Sequence, residues 1–172
     1  MELSKDELPA LDGQALEADL AHISSILLAR GWMLATAESC TGGMIAAACT
    51  DLAGSSQWFE RGFVTYSNAA KVQCLGVPAA LIDQDGAVSE SVARAMAQGA
   101  VRHSAAQVAV AVTGIAGPGG GSDDKPVGTV WIGWKRRGGY ARAEVFHFEG
   151  DRDAVRRQTV AAALHGLESQ MG

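Results

Sequence analysis

The stretch that most constrains the fold is Thr36–Gly43, with the sequence Thr-Ala-Glu-Ser-Cys-Thr-Gly-Gly. The apolar run before it, Trp32–Ala35, is typical of a buried strand, whereas Met44–Ala48 after it favours a helix. We therefore predict a strand-to-helix turn that places Ser39 beside a helix N-terminus. Free N–H groups and the helix dipole at such an end favour a phosphate, a carboxylate or a developing oxyanion. Because serine is also a common helix cap, this stretch alone leaves cap and site equally open.

Hydrophobic spacing along the rest of the chain predicts five strands and five helices. The predicted strands cover 32–37, 62–66, 108–112, 127–134 and 140–148, and the predicted helices cover about 16–30, 44–52, 68–76, 89–103 and 151–167. The predicted N-caps are Asn68, Ser89 and Asp151, and Asp85-Gly86 is predicted to form a turn. Only five residues separate the last two strands, which indicates an antiparallel hairpin.

This pattern predicts an α/β fold, a three-layer α/β/α sandwich with a mixed, mostly parallel five-stranded sheet. Residues 1–14 are predicted to form a loose lead-in, and residues 15–172 a single domain. In such sheets, ligands bind beyond the carboxyl ends of the parallel strands. The Ser39 turn, the segment at Tyr66 and the loop after Val112 all leave strands at that end. We therefore expect these three stretches to form one pocket.

The loop at 113–121 is rich in glycine but lacks the Lys-Ser or Lys-Thr ending of a P-loop. Ser122 also stands where a Gly-x-Gly-x-x-Gly motif starting at Gly117 requires its last glycine. Length and glycine content favour a phosphate-binding or lid loop over a flexible connector.

Composition excludes several classes of protein. The 172 residues carry a formal net charge of −5 with a pI near 5.3, which argues against a nucleic-acid or anionic-membrane binder. We expect no signal peptide, because the segment after Met1 has no apolar core, and no apolar run is long enough to span a bilayer. Three cysteines (Cys40, Cys49 and Cys74) form no Cys-x-x-Cys, which fits reduced thiols in the cytoplasm. The four histidines (His22, His103, His147 and His165) show no metal-ligand spacing.

Four side chains near the expected pocket are candidates for chemistry. Lys71 lies five residues after Tyr66, and a lysine beside a serine can act as its base if burial lowers the lysine pKa. Taken alone, such a tyrosine and lysine are more often surface residues. Cys40 is a rival nucleophile, although a small buried residue is the more common role for it. Glu38 is interpreted as a partner for the helix dipole.

Five segments resemble the CinA C-terminal domain family, in the right order between about residues 20 and 165. They are TAESCTGG, GSSQWFERGFVTYSNAAK, GAVSESVARAMAQGA, AVTGIAGPGGGSDDKPVGTVW and GDRDAVRRQ. The chain is too short to hold the additional N-terminal domain of the larger CinA proteins and resembles the stand-alone amidase form. The family fold, an α/β/α sandwich, agrees with the independent prediction. Many relatives carry an acidic residue after Ala-Gly-Pro in the Gly-rich loop, where this chain has Gly119. The resemblance therefore does not extend to the stiffness of this loop or to its detailed contacts.

The resemblance implies hydrolysis of nicotinamide mononucleotide (NMN) to nicotinic acid mononucleotide and ammonia, in pyridine nucleotide (NAD) recycling, without a metal or cofactor. It implies that the catalytic residues are Ser39, Tyr66 and Lys71. From the chemistry of the side chains we favour Lys71 as the base and Tyr66 as a hydrogen-bonding relay to Ser39 and the leaving ammonia. The alternative, in which the charge of Lys71 lowers the pKa of Tyr66 and Tyr66 takes the proton, stays open. Substrate contacts are expected from Cys40, Thr41, Gly42, Gly43, Asn68, Thr113, Gly114 and Gly117. The expected partner is a small-molecule nucleotide rather than nucleic acid or membrane, and a homo-oligomer, a dimer or larger, is expected.

Two alternatives stay open at this point. The first is a catalytically silent nucleotide-binding or regulatory module with the same fold. The second is amide hydrolysis by Cys40, which has no partner base in its own motif. The sequence also leaves open whether Arg152 and Arg156 line a site or an exposed helix start.

Overall fold

The structure, a computed structural model, describes residues 13–172. The strands are β1 (Leu34–Glu38), β2 (Phe59–Val64), β3 (Val108–Gly114), β4 (Thr129–Arg136) and β5 (Arg142–His147). The helices are α1 (Gly13–Arg30), α2 (Met44–Thr50), α3 (Asn68–Leu75), α4 (Ala79–Asp85), α5 (Glu90–Arg102), α6 (Arg152–His165) and α7 (Glu168–Met171), with a 3-10 turn at Ser55–Gln57.

The five strands form one sheet in the order β2-β1-β3-β4-β5. Strand β1 is parallel to both of its neighbours, whereas β4 is antiparallel to β3 and to β5. Four strands therefore run in one direction and only β4 runs in the other. The predicted mixed, mostly parallel sheet and its closing hairpin are confirmed.

The two faces of the sheet carry side chains of different size. In β3, Val108, Val110 and Val112 pack into the core formed with α1, α2, α6 and α7, while Ala109 and Ala111 face α3, α4 and α5. Small side chains let α5 approach the sheet closely. The sheet is thus covered on both faces, which explains why β3 is apolar throughout and confirms the three-layer sandwich.

Several predicted boundaries are wrong for identifiable reasons. Strand β2 begins at Phe59 rather than at residue 62, because it is an edge strand whose exposed residues, such as Arg61, hide its strand pattern. The N-cap of α3 is Ser67, whose hydroxyl accepts a hydrogen bond from the N–H of Ala70, and not Asn68. Ser89 and Asp151 cap α5 and α6 as predicted.

Two helices were not predicted. Helix α4 has only seven residues and buries only Ile82, so it shows too little periodicity to be recognised. Helix α7 has four residues. At the other end of the chain, α1 begins at Gly13, so Gly13 and Gln14 are helical rather than part of the predicted lead-in. The remainder of that lead-in lies outside the described residues.

Helix α3, which carries Lys71, is held against α5 at a point of close backbone contact. Gly99 of α5 faces the backbone of Leu75 at the end of α3, and a Cβ atom at Gly99 would overlap the Leu75 carbonyl oxygen. This contact fixes how deeply α3 lies against the domain.

We expect Gly99→Ala to destabilise the protein by about 1–3 kcal/mol through overpacking, although alanine is the better helix former by about 1 kcal/mol. The free energy of unfolding from urea denaturation measures the effect. Gln98→Ala, at an exposed position one residue earlier, is the control and should change stability little. A Gly99→Ala variant as stable as its parent would show that α3 can move away from α5 freely.

Candidate active site

The three predicted stretches meet because their strands end side by side. Glu38, the last residue of β1, pairs with Val64 of β2 and with Val112 of β3. The next residue in each chain segment therefore emerges at the same edge of the sheet. Ser39 sits in the middle of this row, and its N–H donates to the Val112 carbonyl at 3.2 Å. Its side chain is only 9% exposed.

Lys71 is the immediate partner of Ser39. Its Nζ donates hydrogen bonds of 2.9 Å to Ser39 Oγ and 2.9 Å to the Thr65 carbonyl. The residue is 1% exposed, and this burial lowers the pKa of Lys71 below the usual lysine value, against a smaller opposing effect of Cys40. A lysine amine that loses its proton more readily, in hydrogen-bond contact with a serine hydroxyl, has the geometry of a general base.

The thiol of Cys40 does not have the properties of a nucleophile. Burial raises the pKa of Cys40 to about 11, with a further contribution from the charge of Glu38. The thiol therefore stays protonated at neutral pH, and the thiolate is the reactive form of cysteine. Cys40 is a small buried residue that also lines the pocket.

The N-terminus of α2 is occupied by the protein itself, so the choice between cap and anion site that the sequence left open is decided against the anion site, and the interpretation of Glu38 as the partner of the helix dipole is confirmed. The Glu38 carboxylate accepts hydrogen bonds from the N–H groups of Ile45 (2.8 Å) and Ala46 (3.1 Å) and from the Thr41 hydroxyl (2.6 Å). Glu38 is fully buried, so it satisfies the helix end in place of a ligand.

Three predicted substrate contacts are therefore not confirmed by the pocket. Thr41 is fully buried with its hydroxyl on Glu38, and Gly42 donates its N–H to the Ser39 carbonyl at 3.0 Å. Neither these residues nor Gly43 line the pocket beside Ser39. The two glycines have φ angles of 58° and 109°, so they serve the turn geometry.

The pocket beside Ser39 has a volume of about 290 Å³ and is formed by all three stretches. Among the predicted residues, those that line it are Ser39, Cys40, Tyr66, Asn68, Lys71, Thr113, Gly114 and Gly117. The Gly-rich loop forms one wall, and Ala87 and Val88 from the segment before α5 contribute apolar surface. The Thr113 hydroxyl donates to the Ala87 carbonyl at 2.9 Å, which ties the loop's start to that segment.

Tyr66 lies at the pocket mouth rather than between Lys71 and Ser39. The residue is 61% exposed, and its hydroxyl accepts a 3.0 Å hydrogen bond from Arg152. Since Lys71 contacts Ser39 directly, the predicted relay through Tyr66 is not the arrangement found.

Sequence reasoning left the roles of two arginines open, and the structure separates them. Arg152 lines the pocket and donates to the Gly117 carbonyl at 2.9 Å in addition to Tyr66. Arg156, one turn later on α6, reaches the turn after Ser39 instead and donates to the carbonyls of Cys40 and Thr41. Their i, i+4 spacing in GDRDAVRRQ was the available signal, because it places both on one helix face.

One backbone donor beside Ser39 is uncommitted. Cys40, which lines the pocket, has an N–H with no acceptor on another residue within 13–172. The N–H of the residue after a serine nucleophile at a strand-to-helix turn is a common oxyanion donor.

Two further properties bear on the kind of site. Within residues 13–172, no group of three or more His, Cys, Asp or Glu side chains is placed to hold a metal ion. Over the same range, no helix combines the length and apolar character needed to cross a membrane.

We expect Glu38→Ala to lower the free energy of unfolding by about 3 kcal/mol, because it leaves buried N–H and hydroxyl donors without an acceptor. Chemical denaturation at neutral pH measures the loss. Glu90→Ala is the matched control, since Glu90 also lies in the first turn of a helix but is half exposed and paired with Arg94, so about 0.5 kcal/mol is expected. Equal losses for the two variants would contradict the anchoring role of Glu38.

Comparison with known proteins identifies the family. A family model described as the CinA C-terminal domain matches residues 17–171. The chain is 55% identical over 151 residues to a protein of Escherichia coli K12 named nicotinamide-nucleotide amidohydrolase PncC, which covers 87% of this chain and 90% of that protein. A Pseudomonas putida protein of the same name is 61% identical over 132 residues, or 77% of this chain and 82% of that protein.

A solved structure agrees with this relationship. The crystal structure of competence/damage inducible protein CihA from Agrobacterium tumefaciens superposes with a TM-score of 0.88, at 44% identity over 98% of each chain. The family model, the sequence relatives and the solved fold all lead to the same conclusion: the chain belongs to the CinA C-terminal domain family.

Proposed function

We propose that this protein is a serine amidohydrolase that converts NMN to nicotinic acid mononucleotide and ammonia. The observation that carries the proposal is the 2.9 Å contact between Lys71 Nζ and Ser39 Oγ in a buried setting. The substrate assignment is supported by the name nicotinamide-nucleotide amidohydrolase, borne by relatives at 55% and 61% identity. We further propose a role in pyridine nucleotide recycling, and the expected homo-oligomer stays a prediction.

In the first half of the reaction, Ser39 Oγ forms a bond to the carboxamide carbon while its proton passes to the neutral amine of Lys71. The carbonyl π electrons move to oxygen and give a tetrahedral oxyanion. Collapse of this intermediate breaks the C–N bond, and Lys71 returns the proton so that ammonia leaves. Lowering of the Lys71 pKa by burial makes both directions of transfer accessible.

In the second half, water attacks the ester formed on Ser39. Lys71 takes a proton from the water and gives it to Ser39 Oγ as the ester bond breaks, which restores the hydroxyl and the neutral amine. The product is the pyridine carboxylic acid, which loses its proton to solvent and leaves as the carboxylate. The Cys40 N–H is the donor that we assign to the oxyanion in both halves, because it lies beside Ser39 and donates to no other residue within 13–172.

The mouth of the pocket supplies the substrate-binding part of the proposal. Arg152 places a guanidinium there, hydrogen-bonded to Tyr66 and to the Gly-rich loop at Gly117. A guanidinium suits a phosphate through paired N–H donors. We assign Arg152 and Tyr66 to the nucleotide's phosphate and ribose end, with Asn68 at the same opening. Tyr66 would then act on substrate binding more than on proton transfer.

Ser39→Ala should reduce NMN turnover by several orders of magnitude, because it removes the hydroxyl that contacts the Lys71 amine. Cys40→Ala should keep most of the activity, since the protonated thiol takes no part and its backbone N–H remains. Ammonia release from NMN measures both. An inactive Cys40→Ala beside an active Ser39→Ala would overturn the assignment, and an inert wild type that binds NMN would favour the silent binding module.

Lys71→Met should abolish turnover yet raise the stability of the protein at neutral pH. Burial lowers the pKa of Lys71, so the unfolded chain holds this proton more tightly than the folded protein does. The resulting loss of folding stability is fully present at pH values below the pKa that Lys71 has in the folded protein. Wild-type stability recovers as pH rises toward the pKa of the unfolded chain, near 10.5. The stability gain of Lys71→Met over wild type should therefore shrink with increasing pH.

Thermal unfolding between neutral and alkaline pH, together with ammonia release, checks both parts. Lys71→Arg is the activity control, because an arginine keeps the charge but cannot give up its proton. Turnover near the wild-type rate in Lys71→Arg would contradict Lys71 as the base.

A further inference from the structure

Arg156 makes contacts that the proposed chemistry does not use directly. It lies on α6, and its side chain is partly buried against the turn that follows Ser39. Its Nε donates to the Cys40 carbonyl at 3.1 Å and its Nη2 to the Thr41 carbonyl at 3.3 Å. One edge of the guanidinium thus holds two consecutive peptide groups of a segment more than a hundred residues away in sequence.

These two contacts set the orientation of further groups, because a peptide unit is planar and its C=O and N–H point in opposite directions. The Thr41 carbonyl shares a peptide with the Gly42 N–H, and that N–H donates to the Ser39 carbonyl at 3.0 Å. The Ser39 carbonyl shares a peptide with the Cys40 N–H. Arg156 is therefore connected to the Cys40 N–H through two rigid peptide planes and one hydrogen bond.

The turn that follows Ser39 needs contacts from other parts of the protein to hold its conformation. Gly42 and Gly43 are both in the left-handed region and have no side chains to restrict them, and α2 beyond them has only seven residues. Glu38 fixes the helix end at Ile45 and Ala46 and also holds the Thr41 hydroxyl, but it accepts no hydrogen bond from the peptide groups of Cys40 or Gly42. Arg156 is the side chain that donates to the carbonyls of Cys40 and Thr41.

We infer that Arg156 is a positioning residue that aims the Cys40 N–H at the oxyanion formed during amide hydrolysis. The inference rests on the proposed function for its chemistry, and on the hydrogen bonds of Arg156 for its geometry. Arg156 does not line the pocket beside Ser39, whereas Arg152 does, so the two arginines have separate roles. A lysine is a poor replacement for Arg156, because its ammonium on a flexible stem lacks the fixed spacing with which Nε and Nη2 meet two consecutive carbonyls.

The experiment compares Arg156→Lys and Arg156→Ala with the wild type in steady-state NMN hydrolysis. Misplacement of an oxyanion donor should lower kcat by about 100-fold while KM stays within about threefold. The pH dependence of kcat/KM should not shift, because the surroundings of Lys71 are unchanged. The matched control is Arg157→Ala: Arg157 is the next residue on α6, its side chain is 70% exposed and it pairs with Asp153. This control should keep the wild-type kcat.

Hydrogen–deuterium exchange of the segment 38–44 provides a second readout that does not require activity. Both Arg156 variants should exchange faster there than the wild type, with the rest of the domain unchanged, and Arg157→Ala should match the wild type. If the wild type fails to hydrolyse NMN while both Arg156 variants still exchange faster in this segment, the proposed function is overturned and the role of Arg156 in holding the turn is supported.

Three results would overturn the inference itself. The first is Arg156→Lys with the wild-type kcat, which would show that charge alone suffices. The second is a rise in KM at constant kcat, which would assign Arg156 to substrate binding. The third is faster exchange throughout the domain with a lowered Tm, which would reduce Arg156 to a general stabilising residue.

Discussion

The contact between the Lys71 amine and the Ser39 hydroxyl depends on a buried lysine, and much of the domain is arranged to keep it there. Burial of an ammonium group without a carboxylate partner is unfavourable, so the packing around it must outweigh that cost. Helix α3 supplies this packing through its contact with α5, where Gly99 admits the backbone of Leu75. The same burial that weakens the fold lowers the pKa of Lys71 and makes it useful as a base. Stability and reactivity are thus opposed at a single side chain.

The charged side chains around Ser39 contact different parts of the site and have different effects on it. Glu38 neutralises the N-terminus of α2. Burial, with a smaller contribution from the charge of Glu38, raises the pKa of Cys40 and keeps the thiol protonated. Arg152 brings positive charge to the pocket mouth, where a phosphate would enter, and Arg156 acts on the backbone behind the serine. The N-terminus of α2 is therefore held by a carboxylate of the protein itself, and the proposed phosphate site lies at the guanidinium of Arg152 instead.

The sheet topology accounts for the remaining geometry. Because β1 lies between β2 and β3 and all three run parallel, the segments that follow them emerge at one edge. Because β3 carries valines on one face and alanines on the other, the helices on the alanine side can pack closer to the sheet than those on the valine side. The antiparallel β4 returns the chain from the Gly-rich loop, which lets that loop cover the pocket while remaining anchored at both ends.

The sequence by itself determined the layered α/β fold, the strand-to-helix turn at Ser39, the capped helices at Ser89 and Asp151, and the convergence of three stretches on one pocket. These features follow from local composition and from the period of apolar residues, which are properties of short segments. The tertiary structure alone decided what each polar group contacts. It placed Tyr66 on Arg152 rather than between Lys71 and Ser39, and it placed Arg156 on the turn. For Glu38 the sequence indicated the helix dipole as a partner, and the structure added the N–H groups of Ile45 and Ala46 from which the carboxylate accepts hydrogen bonds. Hydrogen-bond partners far apart in sequence depend on packing distances between whole elements, and no local pattern contains those distances.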